Sequence, residues 1–188
     1  MVDDTFGHWF AGLVDGEGCF HARAHIRKRD GAHCLVVYFS LKLRADDKPM
    51  LEMIRETLGI GYIYTYEREK LSIYPQSDYR IAHRKELKNV LIPVFDQYPL
   101  RSKKVNDYQV WRRIVLECKC ASRRHCQVGV GSLPNHIWDK AVGLCNLLRE
   151  QREFEIDPDV AETARQRVRQ TQPPLFVPEP QQMEMEGI

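Results

Sequence analysis

The sequence predicts an α+β fold in which pairs of antiparallel strands alternate with helices. Two helical patterns are each followed by two segments in which apolar and polar residues alternate with a period of two, as in half-buried strands. Further helical patterns follow the second pair, so the predicted order is helix, strand, strand, helix, strand, strand, helix. Apolar residues make up 43% of the 188 residues, which is enough for a packed core.

Charge divides the chain into two parts. The net charge is +2, but residues 157–188 hold six acidic residues, three arginines and five of the ten prolines. We therefore predict a domain over residues 1–156 with a net charge of +5 and a Pro-, Gln- and Glu-rich tail over residues 157–188. The tail is expected to be partly flexible, with a short helix at residues 159–170. A basic domain is typical of proteins that bind polyanions.

The six cysteines are scattered, and no apolar run reaches membrane-spanning length. We expect an intracellular protein, in the cytoplasm or an organelle, without a disulfide framework or membrane contact. Four soft ligands within nine residues could bind zinc: Cys118, Cys120, His125 and Cys126. Their spacing lacks paired CxxC knuckles, so a loop with incidental thiols is the favoured interpretation.

The first helical pattern ends in two glycines that bracket an acid. Gly12 and Gly16 lie four residues apart on one helical face, where a second helix could approach closely. Asp15 and Glu17 fall at the helix C-terminus, where the macrodipole is already negative. A divalent cation would make this a favourable place for carboxylates, because hard oxygen ligands suit magnesium and calcium.

The two strands after this helix present a cationic face. Residues 20–29 alternate between apolar and basic side chains, an Asp30-Gly31 turn follows, and residues 35–44 form the second strand. Such a face fits the DNA major groove, where arginine reads guanine. A solvated sheet face is the alternative, but such a face would normally mix acids with bases.

The remaining elements follow from the same periodicities. The second strand pair is predicted at residues 62–66 and in a region that combines residues 71–74 with residues 78–81. Its tyrosines are expected either to contact DNA or to pack toward the core. Helices are predicted at residues 46–58, 85–95, 105–116 and 133–154.

The segment from Phe10 to Gly18 closely resembles the motif of the LAGLIDADG homing endonucleases, with Glu17 as its final acid. The predicted αββαββα order and the segment from Tyr98 to Lys104 are also similar to that family. The resemblance implies an antiparallel saddle-shaped sheet that lies on DNA, with helices behind it. It implies that Glu17 and Gly16 bind catalytic cations and that the motif helices form a dimer interface, here through Phe10, Ala11, Gly12 and Asp15.

The resemblance also implies an activity. Because one motif is found, the expected protein is a homodimeric, intron-encoded endonuclease that cuts a long, near-palindromic double-stranded DNA target, with no small-molecule substrate. The cofactor is expected to be Mg²⁺, with Mn²⁺ or Ca²⁺ as substitutes. The family lysine carries over onto Lys103, with Lys104 as a nearby alternative. Leu43 stands where the family often has glutamine, so Lys42 or Arg44 would supply that polar role, and Arg44 is our choice.

The groove-facing positions of the family carry over onto the outward residues of the predicted strands. The predicted DNA contacts are His21, Arg23, His25, Arg27, Tyr38, Ser40, Lys42, Tyr62, Tyr64, Tyr66, Asp78 and Arg80. Two alternatives share the fold: an RNA-splicing maturase, and a regulator that binds DNA without cutting it. An acid at Glu17 favours cleavage but does not require it.

Overall fold

The computed structural model describes residues 2–66, 74–118 and 133–152. The helices are α1 (Asp4–Glu17), α2 (Lys48–Leu58), α3 (Arg84–Glu86, Leu87–Leu91 and Ile92–Gln97), α4 (Lys104–Glu117) and α5 (Asn135–Glu150). The strands are β1 (Gly18–Ile26), β2 (His33–Arg44), β3 (Tyr62–Tyr66) and β4 (Gln76–Ile81). The predicted αββαββα order is confirmed, and α4 and α5 follow it.

The four strands form one antiparallel sheet in the order β1-β2-β4-β3. Its register places Phe20 opposite Phe39 and Phe39 opposite Ile81, so these buried side chains share the inner face. The alternate positions of the same strands form the outer face. The period-two pattern therefore predicted correctly which residues share a face.

The turn between β1 and β2 begins earlier than predicted. β1 ends at Ile26, and the backbone N–H of Arg27 donates to the carbonyl of Ala32 at 2.9 Å. Gly31 adopts a φ of +69°, which a residue with a Cβ rarely adopts. The extension of the strand to residue 29 was wrong, because these local bonds close the hairpin first.

α3 changes its winding along its length. Residues Leu87–Leu91 are π-helical, between α-helical segments on both sides. Pro93 has no N–H to donate and its ring crowds the preceding turn, which gives the chain a local reason for the wider turn there. The helix predicted at residues 85–95 is confirmed, but the periodicity did not indicate the π-helical turn.

The fourth strand was predicted too broadly. β4 covers Gln76–Ile81, and Tyr74 lies in a bend before it. Residues 71–73 of the predicted strand region lie outside the described residues, as do residues 157–188 and the helix predicted at 159–170. One compact unit spans Met1–Arg152, and the domain boundary at residue 156 stays a prediction.

Helices cover the inner face of the sheet and bury an aromatic core. Phe20 lies 5.1 Å from the Trp111 ring of α4 and 5.7 Å from the Phe95 ring of α3, measured between centroids. Phe10 of α1 stacks on Phe95 at 5.5 Å. A second apolar cluster joins α4 to α5, with Leu144 among its buried members. The described helices thus lie on the inner side of the sheet and leave its outer face uncovered.

The described residues contain no helix that has both the length and the apolar character needed to cross a membrane.

Candidate active site and DNA-facing surface

α1 passes directly into β1 at Gly18. Gly18 has an extended backbone, with φ −71° and ψ 148°, and its N–H donates to the carbonyl of Val14. A Cβ at this position would lie 2.5 Å from Val14 Cγ1 and 2.8 Å from Val14 O. Only glycine fits there without movement of Val14, so this residue fixes the place where Glu17 emerges.

Asp15 holds the loop before α4. Its carboxylate accepts hydrogen bonds from the backbone N–H of Arg101 at 2.8 Å, from the N–H of Ser102 at 3.2 Å and from Ser102 Oγ at 2.7 Å. Partial burial opposes the charged form, but these hydrogen bonds and the charge of Lys104 outweigh burial, so the pKa of Asp15 is lowered. In this chain the carboxylate therefore anchors the loop.

Lys104 binds the C-terminal end of α1. Its Nζ donates to the carbonyls of Val14 at 3.1 Å, Gly16 at 3.1 Å and Gly18 at 2.8 Å. The last carbonyls of a helix lack partners within the helix, and a cation also compensates the negative end of the macrodipole. Burial lowers the pKa of Lys104, although nearby acids, including Asp15, oppose this effect.

The structure therefore brings Lys104 to the motif, at the carbonyl of the residue that precedes Glu17. Lys103 occupies the position immediately before α4. The role predicted for Lys103 stays a prediction, and the geometry favours its neighbour. Sequence spacing could not separate the two lysines, because the helix phase decides which of them reaches α1.

Glu17 is exposed at the last position of α1. Its carboxylate and the Gly16 carbonyl offer the hard oxygen atoms that Mg²⁺ prefers, and a carbonyl keeps a second lone pair beside its bond to Lys104. Among the described residues, no group of three or more His, Cys, Asp or Glu side chains could hold a metal ion. The two oxygen atoms could supply part of the ligand set of a magnesium ion, and other oxygen ligands would complete it.

The predicted dimer residues fall on two sides of α1. Phe10 is fully buried and stacks on Phe6 at 5.6 Å as well as on Phe95, so its placement in an interface was wrong. Ala11 is 5% exposed, whereas Gly12 is exposed and a Cβ there would meet nothing within 4 Å. The resemblance to the motif identified the matching residues, but it did not show which of them lie on the exposed side of the helix.

The exposed face of α1 includes a residue that the motif did not indicate. Trp9 is 39% exposed, and its spacing from Gly12 and Gly16 places all three on one face. A Cβ at Gly16 would likewise meet nothing within 4 Å. Beside this face lies a depression of about 380 Å³ lined by His8, Ala11, Gly12, Asp15, Pro99 and Arg101. The i, i+3, i+7 spacing was the available signal for Trp9.

The outer face of the sheet carries the predicted DNA-contacting residues. Strand register places on this face His21, Arg23, His25, Tyr38, Ser40, Lys42, Tyr62, Tyr64, Tyr66, Asp78 and Arg80. Tyr62 and Tyr64 are 53% and 47% exposed, so the alternative in which they pack toward the core was wrong. Arg27 lies in the turn after β1, where it binds Asp30 through two hydrogen bonds of 2.7 Å.

Arg80 is held at the centre of the outer face. Its Nη2 donates to Asp78 Oδ2 at 2.5 Å, and its guanidinium carbon lies 4.6 Å from the centroid of the Tyr38 ring. Tyr38 in turn stacks on His21 at 4.3 Å. Asp78 is 1% exposed, so the carboxylate that binds Arg80 is shielded from solvent. The cluster fixes the direction of the guanidinium before any ligand arrives.

Arg44 lies at the end of β2 and forms local contacts. It donates to Asp46 at 3.1 and 2.8 Å and lies over the Tyr74 ring at 4.8 Å. Because Gly18 is opposite Leu41, the outer-face position of β2 nearest to Glu17 is Lys42. The catalytic role of Arg44 stays a prediction, and the register favours Lys42 for it.

One of the four proposed zinc ligands is described. Cys118 is fully buried in the apolar cluster between α4 and α5, and burial raises the pKa of its thiol. The other three, at positions 120, 125 and 126, lie outside the described residues. The surroundings of Cys118 are those of a packed core residue.

The sequence profile of the family described as LAGLIDADG endonuclease matches residues 10–115. The chain belongs to this family. The match contains the second half of α1, the whole described sheet and most of α4. The predicted family is therefore confirmed.

Two curated fungal relatives are named as proteins encoded in introns. The probable intron-encoded endonuclease Cox1-I1b of Schizosaccharomyces pombe is 31% identical over 112 residues, which cover 60% of this chain and 27% of that protein. An uncharacterized 50.9 kDa protein in ND4 intron 1 of Podospora anserina is 30% identical over 119 residues, 61% of this chain and 25% of that protein. The chain thus spans about a quarter of the length of these relatives.

Solved structures share the fold. The I-LtrWI LAGLIDADG homing endonuclease bound to target DNA superposes with a TM-score of 0.61 at 22% identity, over 78% of this chain and 45% of that one. I-SmaMI, bound to an uncleaved DNA target in the presence of calcium ions, gives a TM-score of 0.60 at 21% identity, over 85% and 49% of the two chains. The LAGLIDADG endonuclease fold is therefore established, and the chain spans less than half of each solved structure.

Proposed function

We propose that the protein is an intron-encoded, site-specific homing endonuclease that acts as a homodimer and hydrolyses both strands of a long, near-palindromic DNA target. The observation that carries the proposal is the position of Glu17. Its carboxylate is exposed at the end of a helix whose Gly12–Gly16 face is open, beside a sheet face rich in arginine and tyrosine. An acid, a helix interface and a polyanion-binding surface thus meet at one place.

DNA is the proposed substrate because of the outer face. Basic and hydroxyl-bearing side chains alternate there with the strand period, on a surface that can enter a major groove. The solved structures of I-LtrWI and I-SmaMI contain bound DNA, which supports the same substrate for this chain. The Arg80 cluster would present a guanidinium already oriented for one base step.

A second copy of the chain is proposed to complete the enzyme. The exposed face of α1 includes two glycines and Trp9, which allows close helix contact and offers a large apolar side chain for burial. A two-fold axis through this contact would bring two Glu17 side chains together. An isologous dimer reads a target with matching two-fold symmetry, which is why we expect near-palindromic sites.

Hydrolysis needs an aligned water molecule, neutral charge around the phosphate and protonation of the leaving 3′ oxygen. Glu17 and the Gly16 carbonyl are proposed to hold Mg²⁺, which when bound would supply charge neutralisation and an activated water. Mn²⁺ or Ca²⁺ would occupy the same oxygen donors. Lys104 keeps the Gly16 carbonyl in place and adds positive charge beside the scissile phosphate.

Lys103 can also take part in cleavage beside Lys104. Lys103 is next to it in the chain, at the position that precedes α4. We propose that Lys104 positions the end of α1 and that Lys103 or Lys42 orders the water molecules around the phosphate. Location inside the cell, in the cytoplasm or an organelle, follows from the DNA substrate.

A Glu17→Gln substitution tests the proposal. Glutamine keeps the size of the side chain but removes the charge that binds a cation, so we expect nicking in Mg²⁺ to fall by a factor of about a thousand or more, while DNA affinity in EDTA stays within about twofold. Nicking of a plasmid library of palindromic sites measures the first effect. Fluorescence anisotropy with a target selected from that library measures the second.

Glu56→Gln is the matched control, because Glu56 is exposed on α2 and the charge change is the same. The control should cut at the wild-type rate. A Glu17→Gln protein that cuts as well as the wild type would refute the metal assignment. A wild-type protein that binds a selected duplex but never nicks it would instead be a DNA-binding regulator, and binding to structured RNA alone would indicate a maturase.

A further inference from the structure

A basic cleft runs along the free edge of β1, where this strand meets α5. It has a volume of about 360 Å³ and continues from the outer face of the sheet around its edge. The lining residues are His21, Ala22, Arg23, Ala24, Cys145, Asn146, Leu148, Arg149 and Arg152. Of the described residues, three arginines and no carboxylate line it.

Arg152 is fixed at the floor of this cleft. Its Nη2 donates to the carbonyl of Phe20 at 2.6 Å and its Nε donates to Asp107 Oδ2 at 2.8 Å. The first bond occupies a backbone carbonyl of an edge strand, and the second ties the guanidinium to α4. An arginine that folding has already oriented loses little conformational entropy when it binds an anion.

The charge around the cleft is positive even after these contacts. Asp107 is the acid that pairs with Arg152, and it lies outside the lining. The pKa of His21 is lowered, first by burial and then by the positive charges of Arg152, Arg80 and Arg23. Positive side chains of the outer face and of the cleft thus lie close to the same imidazole.

The width of the sheet places a DNA backbone at this edge. Four strands at a spacing of about 4.8 Å span roughly 14 Å, whereas the major groove is about 12 Å wide. A sheet laid in the groove therefore brings its edge strands against the phosphate walls. β1 is an edge strand, and His21 to Ala24 lie about 13 to 23 Å along it from Glu17.

We propose that this cleft binds a phosphate group of the DNA backbone, with Arg152 as the fixed donor and Arg149 as a second donor from α5. The inference rests on the proposed function, since the DNA must lie on the outer face of the sheet. It adds a contact from α5 to the interface. At about 3.4 Å per base pair, the bound phosphate would lie roughly four to seven base pairs from the cut in each half-site.

Salt dependence of DNA binding tests the proposal directly. Each phosphate contact contributes about 0.9 to the slope of log K against log salt. The double variant Arg149→Gln/Arg152→Gln removes one phosphate contact from each subunit, so it should reduce that slope by about 0.9 for each subunit bound to a labelled duplex of random sequence, measured by anisotropy in increasing KCl. The control Arg55→Gln removes one positive charge from α2, away from the cleft, and should leave the slope unchanged.

Other outcomes separate this proposal from the one it rests on. If the wild type binds duplex with a salt slope and the double variant keeps that slope, the cleft binds no phosphate and the proposed function stands. If the double variant only melts earlier, Arg152 has a purely structural role. If Arg152→Gln does not fold, Arg149→Gln alone must lower the slope by up to about one. A wild type without salt-dependent binding would refute both proposals.

Discussion

Asp15 accepts three hydrogen bonds from the loop before α4, while Glu17, two residues later, stays exposed at the end of α1. The two acids of the motif therefore have different roles in this chain. The first connects α1 to the loop that leads into α4, and the second is available to a cation. This division depends on contacts 86 or more residues away in sequence, so the motif alone did not indicate it.

Asp15 gives a prediction about pH. Its pKa is lowered in the folded protein, so its charge stabilises the fold above the ordinary value of 3.8, and this contribution is lost as pH falls through the lower, folded value. Asp15→Asn should cost about 1 to 3 kcal/mol of unfolding free energy at neutral pH. The difference from the wild type should shrink below pH 3.8, as measured by urea denaturation across pH. A constant difference at all pH values would contradict it.

The residues of the outer face show what can be predicted for single residues from the sequence. Alternation along a strand is local, so the pattern predicted that Tyr62 and Tyr64 share a face but left open which one, and their exposure identifies it as the outer face. The pairing of Asp78 with Arg80 was not predicted, although opposite charges two residues apart share a face of one strand. The burial of Asp78 was not predicted either, because burial depends on residues from other parts of the chain.

At the scale of elements, the end of α1 is built by residues from distant parts of the chain. Gly18 allows the helix to become a strand, and Lys104 binds carbonyls at the junction of α1 and β1. The helix and strand assignments were predictable because each follows from a local period. The partner of the helix end was not, because Lys103 and Lys104 are equally placed in the sequence.

The two lysines give a contrast between neighbouring positions. Lys104→Met should lower the free energy of unfolding by about 2 kcal/mol, because the carbonyls at the end of α1 lose a charged donor, and cleavage should fall with it. Lys103→Met should lower the thermal midpoint by less than Lys104→Met does. Calorimetry and nicking rates on both variants measure these effects. Equal destabilisation by the two substitutions would show that Lys104 is not the one that holds the helix end.

At the scale of the whole molecule, the outer face of the sheet and the open face of α1 are the two surfaces that the described fold leaves for partners. The core is packed without a second chain, since Phe10, Phe20 and Trp111 are fully buried by this chain alone. The fold class and the family could be predicted from a short motif and the order of elements. Neither the motif nor the order of elements tests the dimer, because dimer formation depends on surface residues rather than on the packing of the core.

Gly12 tests the dimer without disturbing the fold. A Cβ there meets nothing within 4 Å in this chain, so Gly12→Leu should keep the monomer folded and stabilise α1 by about 0.5 to 1 kcal/mol. At a close helix contact the same side chain would overpack the interface by up to about 3 kcal/mol, which weakens the dimer roughly a hundredfold. Sedimentation equilibrium measures the dimer, and loss of double-strand cleavage of a palindromic target should accompany its dissociation.

Gly18→Ala separates this effect from a general defect of α1. The added Cβ would lie 2.5 Å from Val14 Cγ1, so this variant should lose about 1 to 3 kcal/mol of stability, whatever its state of assembly. Gly12→Leu should differ from it in having a thermal midpoint at or above that of the wild type. If Gly12→Leu remains dimeric and cuts both strands, the two chains do not meet through this face of α1, and the proposed two-fold arrangement of Glu17 is wrong.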